Sequence, residues 1–360
     1  MLFEIVRPDC IRALEDPVVR KVLRNYVRIV KNEIPARFVV CDSIKAEFKE
    51  NWDETKLLEL HRELMEKFRK KLKKVYEEGL KVRRVKKSLL DLKIEVAKRI
   101  MEHCEFCEWK CRVNRIKGGL GFCQVGNKML ISSEFIHMGE ESYITPSHTV
   151  FFWSCNMQCA FCQNYTISYR LEKPIEINEK VLAEIVRKRR EQGCRNLNLV
   201  GGEPTPYIFF ILKLLKECKV STPVVWNSNF YMSKISMEIL DGIVDVYLSD
   251  FKFGPGDCSK KLTRVKNYWE VVSRNHLIAS NQAELVIRHL ILPNHIECCS
   301  FPILEFIAKN LKEKCILNIM DQYFPYWKAK EFPEINRRIT PQEFNAVLKK
   351  ARELGLYVKS

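Results

Sequence analysis

Apolar and polar residues follow two regimes along the chain. Up to about residue 102 the apolar positions recur at helical spacing. Val22, Tyr26, Val27 and Val30 form one stripe, and Leu57, Leu58, Leu60, Leu64 and Phe68 form another. Gly79 interrupts the second stripe, and Ser88 stands as an N-cap before a third, Leu89 to Met101. From Thr149 onward short apolar runs alternate with helical stretches. The runs 149–153, 196–200, 224–227, 244–248, 284–290 and 316–320 predict strands. Segments 179–192, 207–218, 234–240, 262–274 and 302–311 predict the helices between them, and 276–283 reads as a polar loop. A last helix opens with Thr340-Pro341-Gln342-Glu343, a capping box with proline at the first helical position, and Gly355 would close it.

Strand–helix alternation means parallel strands with helices outside them. About six such units predict an open, partial (β/α)6 parallel barrel. The chain then divides into a basic helical extension (1–102), a cysteine-rich segment (103–148) and the barrel (149–360). A length of 360 residues with 46% hydrophobic residues is enough for one large core plus an appendage.

Charge and composition narrow the class. The formal net charge is +16, and two basic clusters lie in the extension: Arg69, Lys70, Lys71, Lys73, Lys74, then Lys81, Arg83, Arg84, Lys86, Lys87. Glu66, Glu77 and Glu78 interleave with them and no aromatic stripe offers bases a stacking surface, so solvated helix faces are favoured over a nucleic-acid surface. Met1-Leu-Phe-Glu-Ile lacks the basic and apolar regions of a secretory leader. No run of about 18 apolar residues exists, the nearest being ended by Lys213. Fifteen cysteines without a leader point to a reducing, oxygen-poor cytoplasm. Cys10 and Cys41 are isolated and read as buried thiols, and the seven histidines are scattered and read as structural, His148 and His289 included.

The chemistry concentrates in Cys155-Asn-Met-Gln-Cys159-Ala-Phe161-Cys162, directly behind the first predicted strand. Three cysteines this close cannot all enter an apolar core, and thiolates converging from one loop suit an iron–sulfur cluster. Three ligands leave one iron of a cubane open for substrate. A second set, Cys104, Cys107, Cys111 and Cys123, has glycines bending its return and suits a closed four-thiolate site for zinc or a second Fe–S cluster. In parallel α/β folds the active groups collect at the C-terminal strand ends. There lie Gly201-Gly202-Glu203-Pro204, Asn227-Ser228-Asn229, Asp250-Phe-Lys252, Arg288 and Asp321-Gln322-Tyr323.

The C-x3-C-x2-C string with an aromatic before its last cysteine resembles the radical S-adenosylmethionine (SAM) superfamily. The fuller Cys155-to-Asn164 string and the Asp250-x-Lys252 pair resemble the branch related to pyruvate formate-lyase activating enzyme. The Cys104–Cys123 segment and Met320-Asp-Gln-Tyr-Phe-Pro325 are similar to an uncharacterised, activating-enzyme-like group. The resemblance covers about Cys104 to the C-terminus. It implies a [4Fe–4S] cluster on Cys155, Cys159 and Cys162, with SAM contacts from Phe161, Gly201, Gly202, Glu203, Asn227, Asp250, Lys252 and Arg288. It further implies a one-electron donor such as ferredoxin or flavodoxin, cleavage of SAM to a 5′-deoxyadenosyl radical, and a protein substrate whose glycine loses hydrogen. The chain departs from that branch at Asn227, where an aspartate is expected, and from the uncharacterised group at Glu108, where a proline follows the second cysteine. It also lacks the branch's Leu-Pro-Tyr-His at the sixth strand. An RNA-modifying radical SAM enzyme and a non-catalytic Fe–S or zinc protein that binds nucleic acid are the alternatives.

Overall fold

The computed structural model describes residues 6–358, so the leader reading on Met1–Ile5 lies outside the described residues. Eight strands form one open sheet: β1 (Leu130–His137), β2 (Ser147–Phe152), β3 (Ile175–Glu176), β4 (Asn196–Gly201), β5 (Val224–Ser228), β6 (Val246–Asp250), β7 (Glu284–Leu290) and β8 (Cys315–Met320). The order is β3-β1-β2-β4-β5-β6-β7-β8. The six strands from β2 to β8 run parallel, and β1 and β3 add antiparallel pairing beyond β2. This is the open, partial (β/α)6 barrel expected from the alternation.

Helices α1 (Pro17–Val22), α2 (Arg24–Val30), α3 (Arg37–Cys41), α4 (Glu54–Glu78) and α5 (Leu89–Glu102) precede the sheet. Within it follow α6 (Tyr165–Ser168), α7 (Glu179–Glu191), α8 (Ile208–Glu217), α9 (Lys234–Leu240), α10 (Cys258–Thr263), α11 (Tyr268–Gln282), α12 (Phe301–Asn310) and α13 (Pro341–Glu353). The stop at Gly79 is a left-handed cap with φ 71°, which glycine adopts without a Cβ clash. Ser88 and Thr340 both form reciprocal capping boxes, with Asp91 and Glu343. Basic residues of α4 pair with acids, as in Arg62–Glu238, Lys67–Glu63 and Arg69–Asp241.

The two-residue period of each strand sorts its side chains onto two faces. Trp226, Tyr247, Leu285, Ile287 and Leu317 face the helices and are buried in the main core with α5 and α8. Val225, Val246, Leu248, Val286 and Ile316 face the concave side, where Val19, Leu23, Tyr26 and Val27 of the N-terminal helical region pack onto them. Fully burying such a side chain is worth roughly 1.5–3 kcal/mol, so this plug holds the barrel floor shut. Two residues further along the same strands the concave side turns polar: Asn227, Asp250 and Arg288. The fold thus sets an apolar floor beneath a polar layer at the C-terminal strand ends.

Several expectations need correction. The predicted helix 262–274 is two helices, α10 and α11, broken where Arg264 (φ 64°) and Asn267 (φ 47°) are left-handed. The polar stretch 276–283 is mostly helix, because Asn275, His276 and Ala279 turn inward and are buried. Strand β6 lies two residues later than 244–248, since Ile243 and Val244 are buried in the preceding turn.

Candidate active site

Strand β2 delivers the chain into the loop Trp153–Asn164, and the loop bends sharply at once. Ser154 is left-handed (φ 71°), with its N–H donated to the Ile167 carbonyl and its hydroxyl to the Cys123 carbonyl. Cys155, Cys159 and Cys162 then line one wall of a cavity of about 240 Å³. Val200, Gly201, Gly202 and Glu203 of the β4 end line it too, as do Asn227, Asp250, Lys252 and Arg288. The structure therefore brings all eleven residues expected around the cluster and SAM to one place, Phe161 among them. Phe161 also packs on Phe253 and Tyr323 at ring-centre distances of 6.1 and 5.7 Å. A larger cavity, about 690 Å³, is lined by Arg24, Arg28, Arg37 and Lys73; it contains no cysteine and shares no residue with this one.

The close approach of β4 to the cysteine loop explains the glycine pair. A Cβ on Gly201 (φ 116°) would lie 2.2 Å from the Phe152 amide nitrogen, and one on Gly202 1.8 Å from the Ser154 carbonyl oxygen. No side chain fits at either position. Glu203 is fully buried and gathers four donors: Thr205 N–H (3.2 Å), Thr205 hydroxyl (2.5 Å), Ser228 hydroxyl (2.6 Å) and Asn229 N–H (3.0 Å). Burial raises its pKa against the pull of these donors. Asn229, so held, donates from Nδ2 to Asn156 Oδ1 (2.7 Å) and toward Cys155 Sγ (3.6 Å). Glu203 thus ties two strand ends to the cysteine loop.

Burial pushes the Cys159 thiol up to about 12, with Lys252 acting the other way, and raises Cys155 and Cys162 as well. Lys252 forms an ion pair with Asp250. Burial opposes the charge on Lys252, yet Asp250 and Cys159 outweigh it and raise its pKa. Arg288 is clamped by Glu141 (2.6 and 2.7 Å) and by Glu140, with Asn227 Oδ1 at 3.4 Å. Neither acid was expected from the sequence; both come from the β1–β2 connection, far from any strand-end motif. His148 pairs with Glu134 at 3.0 Å, and His289 bonds the Phe251 carbonyl and Ser300 at 2.8 Å each, so both serve structural contacts.

The residues fit a cluster and an organic ligand on two observations. Asn227 Nδ2 is buried in the cavity wall with no hydrogen-bond partner among the described residues, a donor that needs a ligand acceptor. Cys155, Cys159 and Cys162 put three thiols on one wall of that cavity, the donor set an iron–sulfur cluster takes.

Cys104, Cys107, Cys111 and Cys123 fold against the back of this loop. Trp109 Nε1 donates to the Asn156 carbonyl (2.7 Å), and Arg115 Nη2 lies 3.0 Å from Cys123 Sγ. Arg115 is buried; burial opposes its charge, but the four sulfurs, Cys123 first, hold its pKa above the ordinary value. One further group was missed altogether: Cys258, His295, Cys298 and Cys299, scattered over about forty residues, meet in space.

Residues 150–307 match the family model described as "Radical SAM superfamily". An uncharacterized protein of Methanocaldococcus jannaschii, MJ0674, is 44% identical over 343 residues, 93% of this chain and 98% of its own length. Among solved structures, Streptococcus suis SuiB bound to its precursor peptide aligns with a TM-score of 0.42 and 15% identity over 57% of this chain and 47% of SuiB. Methylornithine synthase aligns with a TM-score of 0.42 and 13% identity over 92% of this chain and 77% of its own.

Proposed function

The chain belongs to the radical SAM superfamily, and on that premise we propose that it holds a [4Fe–4S] cluster on Cys155, Cys159 and Cys162 and cleaves SAM reductively beside it. When bound, the cluster and SAM supply one-electron cleavage to methionine and a 5′-deoxyadenosyl radical that removes hydrogen from a substrate. One observation carries this reading: three cysteines and a side-chain-free strand end face each other across one cavity at the C-terminal ends of six parallel strands.

The chain's own groups then have distinct work. Gly201 and Gly202 bring the end of β4 against the cysteine loop, where its backbone amides and carbonyls line the cavity for the amino-acid part of SAM. Asn227 Nδ2 offers it a donor, and Arg288 a fixed cation. The Glu140 and Glu141 carboxylates hold that guanidinium in place, so it is oriented before a ligand arrives. Asp250 and Lys252 form the far wall, and Phe161 supplies an apolar face for adenine. The Asn229 amide near Cys155 Sγ stabilises negative charge on that sulfur.

Two finer elements belong to the same proposal. A second metal centre on Cys104, Cys107, Cys111 and Cys123 is supported by Arg115, because a buried guanidinium with no carboxylate partner among the described residues needs compensating charge, and metal-bound thiolates supply it. Zinc and a second Fe–S cluster both accept these four thiolates, and for a cluster the contact of Ser154 with Cys123 would make it a route for electrons from a ferredoxin- or flavodoxin-like donor. The hydrogen donor we propose is a glycine of a partner protein, on the resemblance of Asp250-Phe-Lys252 to activating enzymes. The same proposal divides the chain into a helical extension (1–102), a cysteine-rich segment (103–148) and the barrel (149–360).

The test is electron paramagnetic resonance of the anaerobically reconstituted, reduced protein with and without SAM. The proposal expects a cluster signal that SAM changes and that Cys155→Ala, Cys159→Ala or Cys162→Ala abolishes. A signal that survives all three substitutions assigns the cluster elsewhere and refutes it.

A further inference from the structure

Beyond the cavity, the loop after β6 and the loop after β7 touch through their backbones. A Cβ on Gly254 would lie 2.2 Å from the Cys298 carbonyl oxygen, so only glycine allows this contact. On either side of it stand Cys258, the first residue of α10, and the sequence His295-Ile-Glu-Cys298-Cys299. The latter is wound into a π-helical turn, Ile296–Ser300, which ends at α12. Such wide turns cost hydrogen-bond geometry and gather at functional positions. This one points two consecutive cysteines the same way.

The ligand atoms of Cys258, His295, Cys298 and Cys299 all lie within 4.8 Å of one another. The sulfurs of Cys258 and Cys298 are 3.7 Å apart, those of Cys298 and Cys299 3.8 Å, and His295 Nδ1 is 3.4 Å from Cys298 Sγ. A tetrahedron with metal–sulfur bonds of about 2.3 Å has sulfur–sulfur edges of about 3.8 Å, and a bond of about 2.05 Å to nitrogen gives a mixed edge of about 3.5 Å. The three measured edges match those of a single-ion site. They leave no room for the four irons of a cluster.

We propose that Cys258, His295, Cys298 and Cys299 form a closed tetrahedral site for a divalent zinc ion. Three thiols and an imidazole are the donor set zinc takes in structural sites, and four protein ligands leave no position for substrate. Binding releases the thiol protons to solvent, and no electron moves. Its effect reaches the active site through α10. That six-residue helix begins at the ligand Cys258, and its last carbonyls, Leu262 and Thr263, accept the N–H groups of Ala160 (2.8 Å) and Gln158 (3.4 Å). Those residues flank Cys159. The ion is thus a clamp that fixes the helix on which the cysteine loop rests, and it stands whether or not that loop carries a SAM-cleaving cluster.

The test is metal analysis and zinc-edge X-ray absorption on the full-length protein purified without oxygen, where iron does not interfere. The proposal expects about one zinc per chain, with three sulfurs near 2.3 Å and one nitrogen near 2.0–2.1 Å. It expects Cys298→Ser with Cys299→Ser to lower bound zinc at least tenfold, while Cys104→Ser with Cys111→Ser leaves this zinc in place. Zinc ligated by four sulfurs, or zinc lost only with the Cys104 set, overturns it. So does a Cys258–Cys298 disulfide found by mass spectrometry of the unreduced protein. The absorption spectrum of the wild-type protein decides the matter even if the double variants do not fold.

Discussion

Gly202→Ala perturbs the site by one methyl group, and the structure gives the size of the disturbance. The added Cβ would lie 1.8 Å from the Ser154 carbonyl oxygen, where ordinary contact begins at 3.4 Å, so the two backbones must separate by about 1.6 Å. Ser154 cannot simply retreat. Its N–H is bonded to the Ile167 carbonyl at 3.0 Å and its hydroxyl to the Cys123 carbonyl at 2.5 Å. Most of the movement therefore falls on the end of β4, away from the loop that carries Cys155. Overpacking of this kind costs about 1–3 kcal/mol of stability. A displacement of about 1 Å at a reacting centre can cost ~100-fold in rate. The assay is 5′-deoxyadenosine formation under dithionite, normalised to iron content, with melting temperature measured alongside. Gly126→Ala, whose Cβ meets only Leu120 Cδ2 at 3.3 Å, is the control. A rate per cluster within twofold of wild type for Gly202→Ala would refute the claim that this strand end positions SAM.

Three further outcomes follow from the same contacts. Glu203→Gln puts an amide among four donors, and losing even one bond to a charged acceptor costs about 1.5–3 kcal/mol; we expect a lower melting temperature and weaker SAM binding by titration, and unchanged values would dismiss the tie. Ser88→Ala removes a capping box whose hydroxyl also donates to Asp42 at 2.6 Å, with about 1 kcal/mol or more lost in urea unfolding and cluster content unaffected. Stability should peak near pH 6.5. His148, His276 and His289 are held near 4 by burial against 6.5 unfolded, so their contribution is complete above 6.5 and lost as pH falls through 4, up to about 3 kcal/mol each. Burial raises Glu284 to about 8 from 4.5, so its contribution is complete below 4.5 and lost as pH rises through 8; Glu284→Gln should flatten the alkaline side, and a melting-temperature series that still falls there would exclude this assignment.

What could be read from the sequence was what is local in it. Strand β7 and helix α9 match their expected limits, because runs such as Glu284–Leu290 carry their own period and are bounded by polar turns. The cysteine loop and the glycine pair were legible for the same reason. The break between α10 and α11 was not, since the helix ends on Arg264 in the left-handed region, where a sequence reader expects glycine or asparagine. Segment 276–282 misled because its inward-facing members, such as His276, are polar residues satisfied by distant partners, here Ser249 at 2.8 Å. Strand β1 escaped because few of its residues are buried and its alternation is weak. Long-range groupings were invisible in principle: Glu140 and Glu141 on Arg288, and Cys258 beside Cys298, are joined only by the topology.

The central claim is that Cys155, Cys159 and Cys162 hold a cluster that cleaves SAM in the cavity they line. Its most direct measurement is chromatographic detection of 5′-deoxyadenosine and methionine from anaerobically reconstituted, reduced protein. The account predicts both products in equal amounts from the wild-type chain and neither from Cys159→Ala. A wild-type protein with a complete, reduced cluster and bound SAM that leaves the SAM intact would contradict it.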